Sequence, residues 1–458
     1  MASISSLPPE MLGEIAACFQ DDSPLNAHND WTADQKTLAI LSRVSKSFQY
    51  AAQPLLYRNI YLAVRDPVGI NILSLIKVLY HRQDLRSKVN KVQIHFEKAF
   101  SCHLERTTDD VKNLHDMAWN MDQTNLCRAL YWSTKGSWLY NNVLSSLLFN
   151  QLQGVSQVMI TGLDGPDITD DYGEFDHFEN AWSVLPYLWI APSETPEALL
   201  PNLAFLRLDA HVITIPGSLE FHLLARLAPN LESISGCRFE SVPAAAFNGF
   251  KKLKHLSLVD APLEHECFPN EEPLLGIPPG LHSFHYIVCD RSRDELYISP
   301  MKARQALAQH SDTLISISLQ FSLDREMEDE WFDTFEMFKN LEHLSVNPSD
   351  FAMKFYNGLG PNAFITSLPR SLRSLTLLSQ DHLEYQDIEW LADALQHGDF
   401  ENLESFTIYV HDKDSDSFYT NLGETWRGIE KPEVEEEDAF FRVTVISETT
   451  SRELWCYW

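Results

Sequence analysis

The sequence predicts an α/β fold: three N-terminal helices, then an irregular solenoid of stacked strand-and-connection units with a parallel sheet on its concave face. Three observations carry this. Residues Leu7 to Leu62 show the apolar spacing of helices. From Val89 onward a short phrase returns: apolar, two variable, apolar, one variable, apolar. Its copies from Leu203 to Leu403 lie about 29 residues apart, a length suited to units that stack and share a core.

The first helix opens at Leu7, Pro8, Pro9 and Glu10. Proline suits a first turn, where its missing N–H has no partner to lose, and Glu10 sits well at the positive helix start. Met11, Leu12, Ile15 and Phe19 follow as one buried face. Leu38, Leu41, Val44 and Phe48 form a second, after an acidic connection from Gln20 to Gln35. A short third helix is expected from Phe48 to Gln53, stopped at Pro54, and Leu55 to Ile60 close the stretch. So small a unit cannot hide all its apolar surface, and a partner protein is its natural cover.

The returning phrase is clearest at Leu253, Leu256 and Leu258, at Leu341, Leu344 and Val346, and at Leu372, Leu375 and Leu377. Weaker copies begin at Leu203, Leu231, Leu281, Leu314 and Leu403, and degenerate ones at Val89, Val155 and Phe440. Alternate side chains of a strand face opposite ways, so Leu256 and Leu258 point inward and Ser257 outward. Connecting stripes run through Leu219, Leu223, Leu224 and Leu227, through Ile388, Leu391, Ala392 and Leu395, and through Phe332, Phe335 and Phe338.

Three regions break the rhythm. Residues 97–150 hold helical pieces around Asp110–Trp119 and Val143–Leu152. Thr161 to Asn180 reads as an exposed acidic loop, and Asp412 to Asp438 as a charged tail before a last strand at Phe441–Ile446. The terminal Trp455 to Trp458 reads as a cap on the solenoid or as a partner-binding tail. The expected domains are therefore 1–62, 63–447 and 448–458.

The 458 residues are 44% hydrophobic, enough for a large core. The N-terminus lacks a basic signal region, and no apolar run approaches the roughly 18 to 20 residues that cross a bilayer. Cys18, Cys102, Cys127, Cys237, Cys267, Cys289 and Cys456 form an odd set without C-x-x-C pairs, which suits a reducing compartment, cytosol or nucleus. The net charge of −30 opposes nucleic acid and anionic membrane as partners.

The opening stretch resembles an F-box, the module that docks substrate receptors on the Skp-type adaptor of Skp–cullin–F-box ubiquitin ligases. The residues that carry the likeness are Leu7 to Glu10 with Ile15, then Leu41 to Phe48, then Pro54 to Tyr57. Gln20 to Gln35 lengthens the usual first loop, and Tyr57 stands where many members have tryptophan. The repeats resemble leucine-rich repeats from Val89 to Val445. That family's ninth-position Asn or Cys occurs only as Cys289, with His211, Ala261, Ser322 and Gln380 elsewhere, so irregular turns are expected.

These resemblances imply a substrate-recognition subunit with no catalysis and no cofactor of its own. It would bind the adaptor, through it cullin, and a protein target. The adaptor contacts implied are Leu7, Pro8, Ile15, Leu41, Val44, Phe48, Leu55 and Tyr57. An alternative is an interaction scaffold that binds the adaptor without cullin-dependent ubiquitination.

The sequence contains no phosphate-binding Gly-rich loop, no nucleophile elbow and no H-E-x-x-H. Asp167, Thr169 and Asp171 alternate like a calcium loop. Gly173 comes one place late, however, and Phe178 replaces the bidentate Glu. Glu264, His265, Glu266 and Cys267 lack a second ligand cluster at zinc spacing. His255 and His343 lie three strands apart, roughly 14 Å, too far for one ion.

What remains is the outward sheet face. One column reads Arg207, Ser235, Ser257, His285, Ser318, Ser345, Thr376, Thr407; the other reads Phe205, Ser233, His255, Ser283, Ser316, His343, Ser374, Ser405. Such side chains suit a face that accepts a protein target, with Phe205, Arg207, His255, His285 and His343 as anchors. They also suit ordinary solvated strands.

Overall fold

A computed structural model describes residues 7–19, 31–64, 70–96, 108–120, 147–163, 200–213, 224–239, 242–243, 247, 249–261, 263–264, 280–288, 298, 300–321, 334–347, 366–378, 394, 399–411, 440–446 and 455–457. The acidic loop beyond Leu163, the charged tail from Asp412 to Asp438 and the His265–Cys267 cluster lie outside these. The chain divides into two compact units: Met1–Val242 with Ala246–Lys252, and Pro243–Ala245 with Leu253–Trp458.

The first unit opens with α1 (Pro9–Ala17), α2 (Trp31–Val44) and α3 (Lys46–Leu56). Pro9 takes the first helical turn, as its missing N–H favours. The packed face differs from the expected one. Leu12 and Ala16, one turn apart, are buried, whereas Met11 is 50% exposed. Ala16, Leu38 and Ala52 form the bundle's centre, with Phe19, Leu41, Leu55 and Leu56 against it. Val44 belongs to another face of α2: with Ile40, four residues earlier, it points to solvent.

Two boundaries are corrected. Residues 31–35 belong to α2 rather than to a connection. The third helix starts earlier, where Ser45 caps it by accepting from Phe48 N–H at 3.2 Å, and it runs through Pro54. In a last turn proline forfeits a single bond, while Tyr57 N–H still reaches Gln53 C=O at 3.1 Å.

The strands β1 (Asn59–Val64), β2 (Lys91–Phe96), β3 (Gln157–Leu163), β4 (Phe205–Ile213) and β5 (Ser233–Phe239) pair in parallel, each with the next. Strand β1 was not expected. Tyr57, Ile60 and Leu62 nevertheless repeat the phrase, so the end of the helical stretch is also the first strand of the sheet. Helices α4 (Ile70–His81), α5 (Gln83–Arg86) and α6 (Thr108–Asn120) lie between strands. Helix α4, also unexpected, buries Ile72, Leu73, Leu75, Ile76 and Leu79. Helix α6 matches its prediction and buries Leu114, Met117 and Ala118 at helical spacing.

In the second unit β6 (His255–Val259), β7 (Ser283–Ile287), β8 (Ser316–Gln320), β9 (His343–Val346), β10 (Ser374–Leu378) and β11 (Ser405–His411) also pair successively in parallel. Helix α7 (Pro300–Ala308) precedes β8. The last two strands depart from the expected pattern: β12 (Phe440–Ile446) and β13 (Trp455–Tyr457) pair antiparallel. In the parallel copies the first apolar anchor precedes the strand, as Leu253 precedes His255. The whole Phe440 phrase is strand. It is therefore no copy of the repeat.

In five coils a tight turn delivers the chain to its strand. Val155, Leu203 and Leu231 N–H bond the carbonyls of Leu152, Leu200 and Ala228, three residues back; Leu341 and Leu403 bond those of Phe338 and Phe400 likewise. The Phe332 to Phe338 stripe resolves into such a turn at its described end. Phe335 and Phe338 are buried with ring centroids 6.2 Å apart and tilted 43°, and Phe247 and Phe250 repeat that geometry at 6.4 Å and 43°. Gly249 makes room for this in the first unit: a Cβ there would lie 2.5 Å from that of Ala225.

Adjacent coils are stitched by the residue just before the first anchor. Asn202 donates to Gln153 C=O at 3.2 Å, Asn230 to Pro201 C=O at 2.6 Å and Asn340 to Asp312 C=O at 2.7 Å. Thr313 and Ser371 hydroxyls do the same for Leu281 and Leu341. These bonds satisfy backbone carbonyls at the junctions between coils.

Candidate functional site

Two surfaces answer to the sequence predictions. The first is the N-terminal helices. Pro8 and Val44 are exposed; Leu7, Ile15, Leu41, Leu55 and Tyr57 are half-buried; Phe48 lies inside the bundle at 1% exposure. Burial raises the pKa of Tyr57, with the nearby Arg82 charge pulling the other way. Three exposed apolar side chains in these helices were missed: Met11 at 50%, Ile40 at 64% and Tyr50 at 79%. The signal for Ile40 was present, since Ile40 and Val44 are four apart and out of phase with Leu38 and Leu41.

The second surface is the outward sheet face, whose columns the strand register sets side by side. In the second unit Ser257, His285, Ser318, Ser345, Thr376 and Thr407 are successive partners. So are His255, Ser283, Ser316, His343, Ser374 and Ser405. Leu256, Phe284, Ile317, Leu344, Leu375 and Phe406, between them, are buried beneath. Neither column carries Asp, Glu, Lys or Arg. His255 and His343 are exposed, and burial lowers the pKa of the half-buried His285. Ser405 donates to Ser374 Oγ at 2.9 Å, so this pair of hydroxyls is satisfied within its row. Thr407 departs from the expected exposure and is buried.

The first unit's face is different in kind. Its columns continue back from Phe205 through Gln157 and Lys91 to Asn59, and from Arg207 through Met159 and Gln93 to Tyr61. Asn59, Lys91, Gln93 and Met159 are buried, although they occupy outward positions. Phe205 and Tyr61 fold onto Met159, and Arg207 Nε donates to Asp209 at 2.7 Å. Phe205 and Arg207 thus have partners inside the chain, whereas the second unit presents a polar, uncharged face. Among the described residues no group of three His, Cys, Asp or Glu could hold a metal ion. No described helix is long and apolar enough to cross a membrane. Compared with known proteins, the chain matches no family model and no curated protein.

Proposed function

We propose that this chain is the substrate-recognition subunit of a Skp–cullin–F-box ubiquitin ligase, acting in cytosol or nucleus. The N-terminal helices dock on the Skp-type adaptor, and the leucine-rich-repeat-like strands of the second unit hold a protein target. The subunit contributes no catalysis; it sets the distance between target and ubiquitin-charged enzyme. The observation that most supports this reading is the crowding of exposed apolar side chains at the front. Met11, Ile40, Val44 and Tyr50 are four of the six large hydrophobics exposed among the described residues. Isolated exposed apolar residues are ordinary, but four within one small bundle suit a surface that a partner covers.

The test is a pull-down with purified adaptor. Leu7→Ala with Pro8→Ala, and separately Ile40→Glu with Val44→Glu, should abolish capture while the circular dichroism of the chain stays as in wild type. Capture undiminished in both variants refutes the docking assignment.

A further inference from the structure

The residue immediately before each of the six parallel strands of the second unit sits at the sheet's leading rim: Lys254, His282, Ile315, Glu342, Arg373 and Glu404. Five are polar. Ile315 breaks the series, and it is the only large hydrophobic exposed in this unit among the described residues, at 36%. Its main chain is fixed on both sides: its N–H donates to His282 C=O at 2.8 Å, and its own carbonyl accepts from Glu342 and His343 N–H at 2.8 and 2.9 Å. The coil therefore holds the side chain at the rim, partly covered and partly open to solvent.

Ile315 lines a groove of about 510 Å³. The walls are fastened from coil to coil by the Thr313, Asn340 and Ser371 side-chain bonds. Arg373 is held at 3.5 Å by both Glu342 and Glu404. Asp312 and Lys339, on neighbouring coils of the same groove, are exposed and make no ion pair among the described residues. The lining thus holds two carboxylates, Asp312 and Glu342, and two cations, Lys339 and Arg373, and Glu404 draws on Arg373 from outside it, in a chain whose net charge is −30. With Arg373 shared between two carboxylates, the Asp312 carboxylate and the long-range field of the chain attract positive charge.

We propose that this rim groove docks a basic segment of the target, with one apolar side chain seated on Ile315 and a neighbouring Lys or Arg on the Asp312 carboxylate. The assignment rests on the reading of the second unit as a target-binding surface, and it names the class of segment that surface selects. A pre-formed apolar contact ringed by polar groups is how a short segment gains both affinity and register.

The experiment measures fluorescence anisotropy with the full chain and two labelled Gly/Ser-rich peptides, one with a leucine between arginines, the other with a leucine between aspartates. The arginine peptide should bind saturably and weaken as salt rises. Ile315→Asp should reduce its affinity roughly tenfold or more. Asp312→Lys should weaken it and Lys339→Glu strengthen it, each by roughly fivefold. All three side chains are at the surface, and unchanged circular dichroism verifies folding. Failure of the arginine peptide to bind, preference for the aspartate peptide, or indifference to both charge reversals overturns the proposal. Adaptor capture by Ile315→Asp separates the two readings: it persists if only the groove assignment fails, and wild type lacks it if the proposed function fails.

Discussion

His310 offers the sharpest test of how the second unit is packed. It continues the stripe Ala303, Ala306 and Leu307 of α7 and precedes the Leu314 anchor, the place that Phe338 fills before Leu341 and Phe400 before Leu403. This coil is one residue longer, so Leu314 N–H bonds His310 C=O four residues back, at 3.0 Å. The imidazole is 1% exposed, and neither ring nitrogen has a hydrogen-bond partner among the described residues. Burial pushes its pKa down from 6.5 to about 4. The unfolded chain therefore takes the proton first as pH falls. Stability is full above about pH 6.5, declines through the window down to about 4, and levels below it. At about 1.4 kcal/mol per unit the ceiling is about 3 kcal/mol. Water entering a breathing coil lowers this, so about 1–3 kcal/mol is expected. His310→Leu keeps an apolar filling and removes the titration. Urea unfolding of both proteins at a series of pH values reads the difference, in which the many carboxylates common to both cancel. His310→Leu should match or exceed wild type at pH 7.5, and its advantage should grow by about 1–3 kcal/mol toward pH 4.5. Parallel profiles across that window would show that the ring is not a buried neutral base.

Other outcomes follow from the same packing. Leu256→Ala, at a buried strand position, should cost about 2–5 kcal/mol in denaturant unfolding, whereas Ser257→Ala, its outward neighbour, should stay within about 0.5 kcal/mol. Gly249→Ala should lower the melting temperature, by about 1–3 kcal/mol in stability, because its Cβ meets Ala225; Ala225→Gly in the same chain should restore much of the loss. Gly13→Ala should instead stabilise α1 by about 0.5–1 kcal/mol, since nothing lies within 4 Å of the added methyl group.

Much of the repeat was legible because a strand has a period of two. Once Leu256 and Leu258 are inward, Ser257 is outward, and equal phrases in successive coils bring His255, Ser283, Ser316 and His343 into register. The helices were less legible. A period of 3.6 leaves residues at the edge of a stripe undecided, so Met11 and Val44 went to solvent, while Ala16 and Ala52, too small to stand out in a pattern, became the bundle's centre. Strand β1 was concealed because Tyr57, Ile60 and Leu62 close the helical stretch and begin the sheet in the same few residues.

Local pattern alone determined which residues alternate and how often the coil returns, because those depend on backbone geometry within a few residues. What neighbours do to one another was decided only in three dimensions. The burial of Met159 under Tyr61 and Phe205 and the seating of His310 in an apolar position each depend on side chains meeting across the fold. The antiparallel turn of Phe440–Ile446 onto Ser405–His411 belongs with them, since an alternating strand reads alike in either direction and only its partner fixes which way it runs.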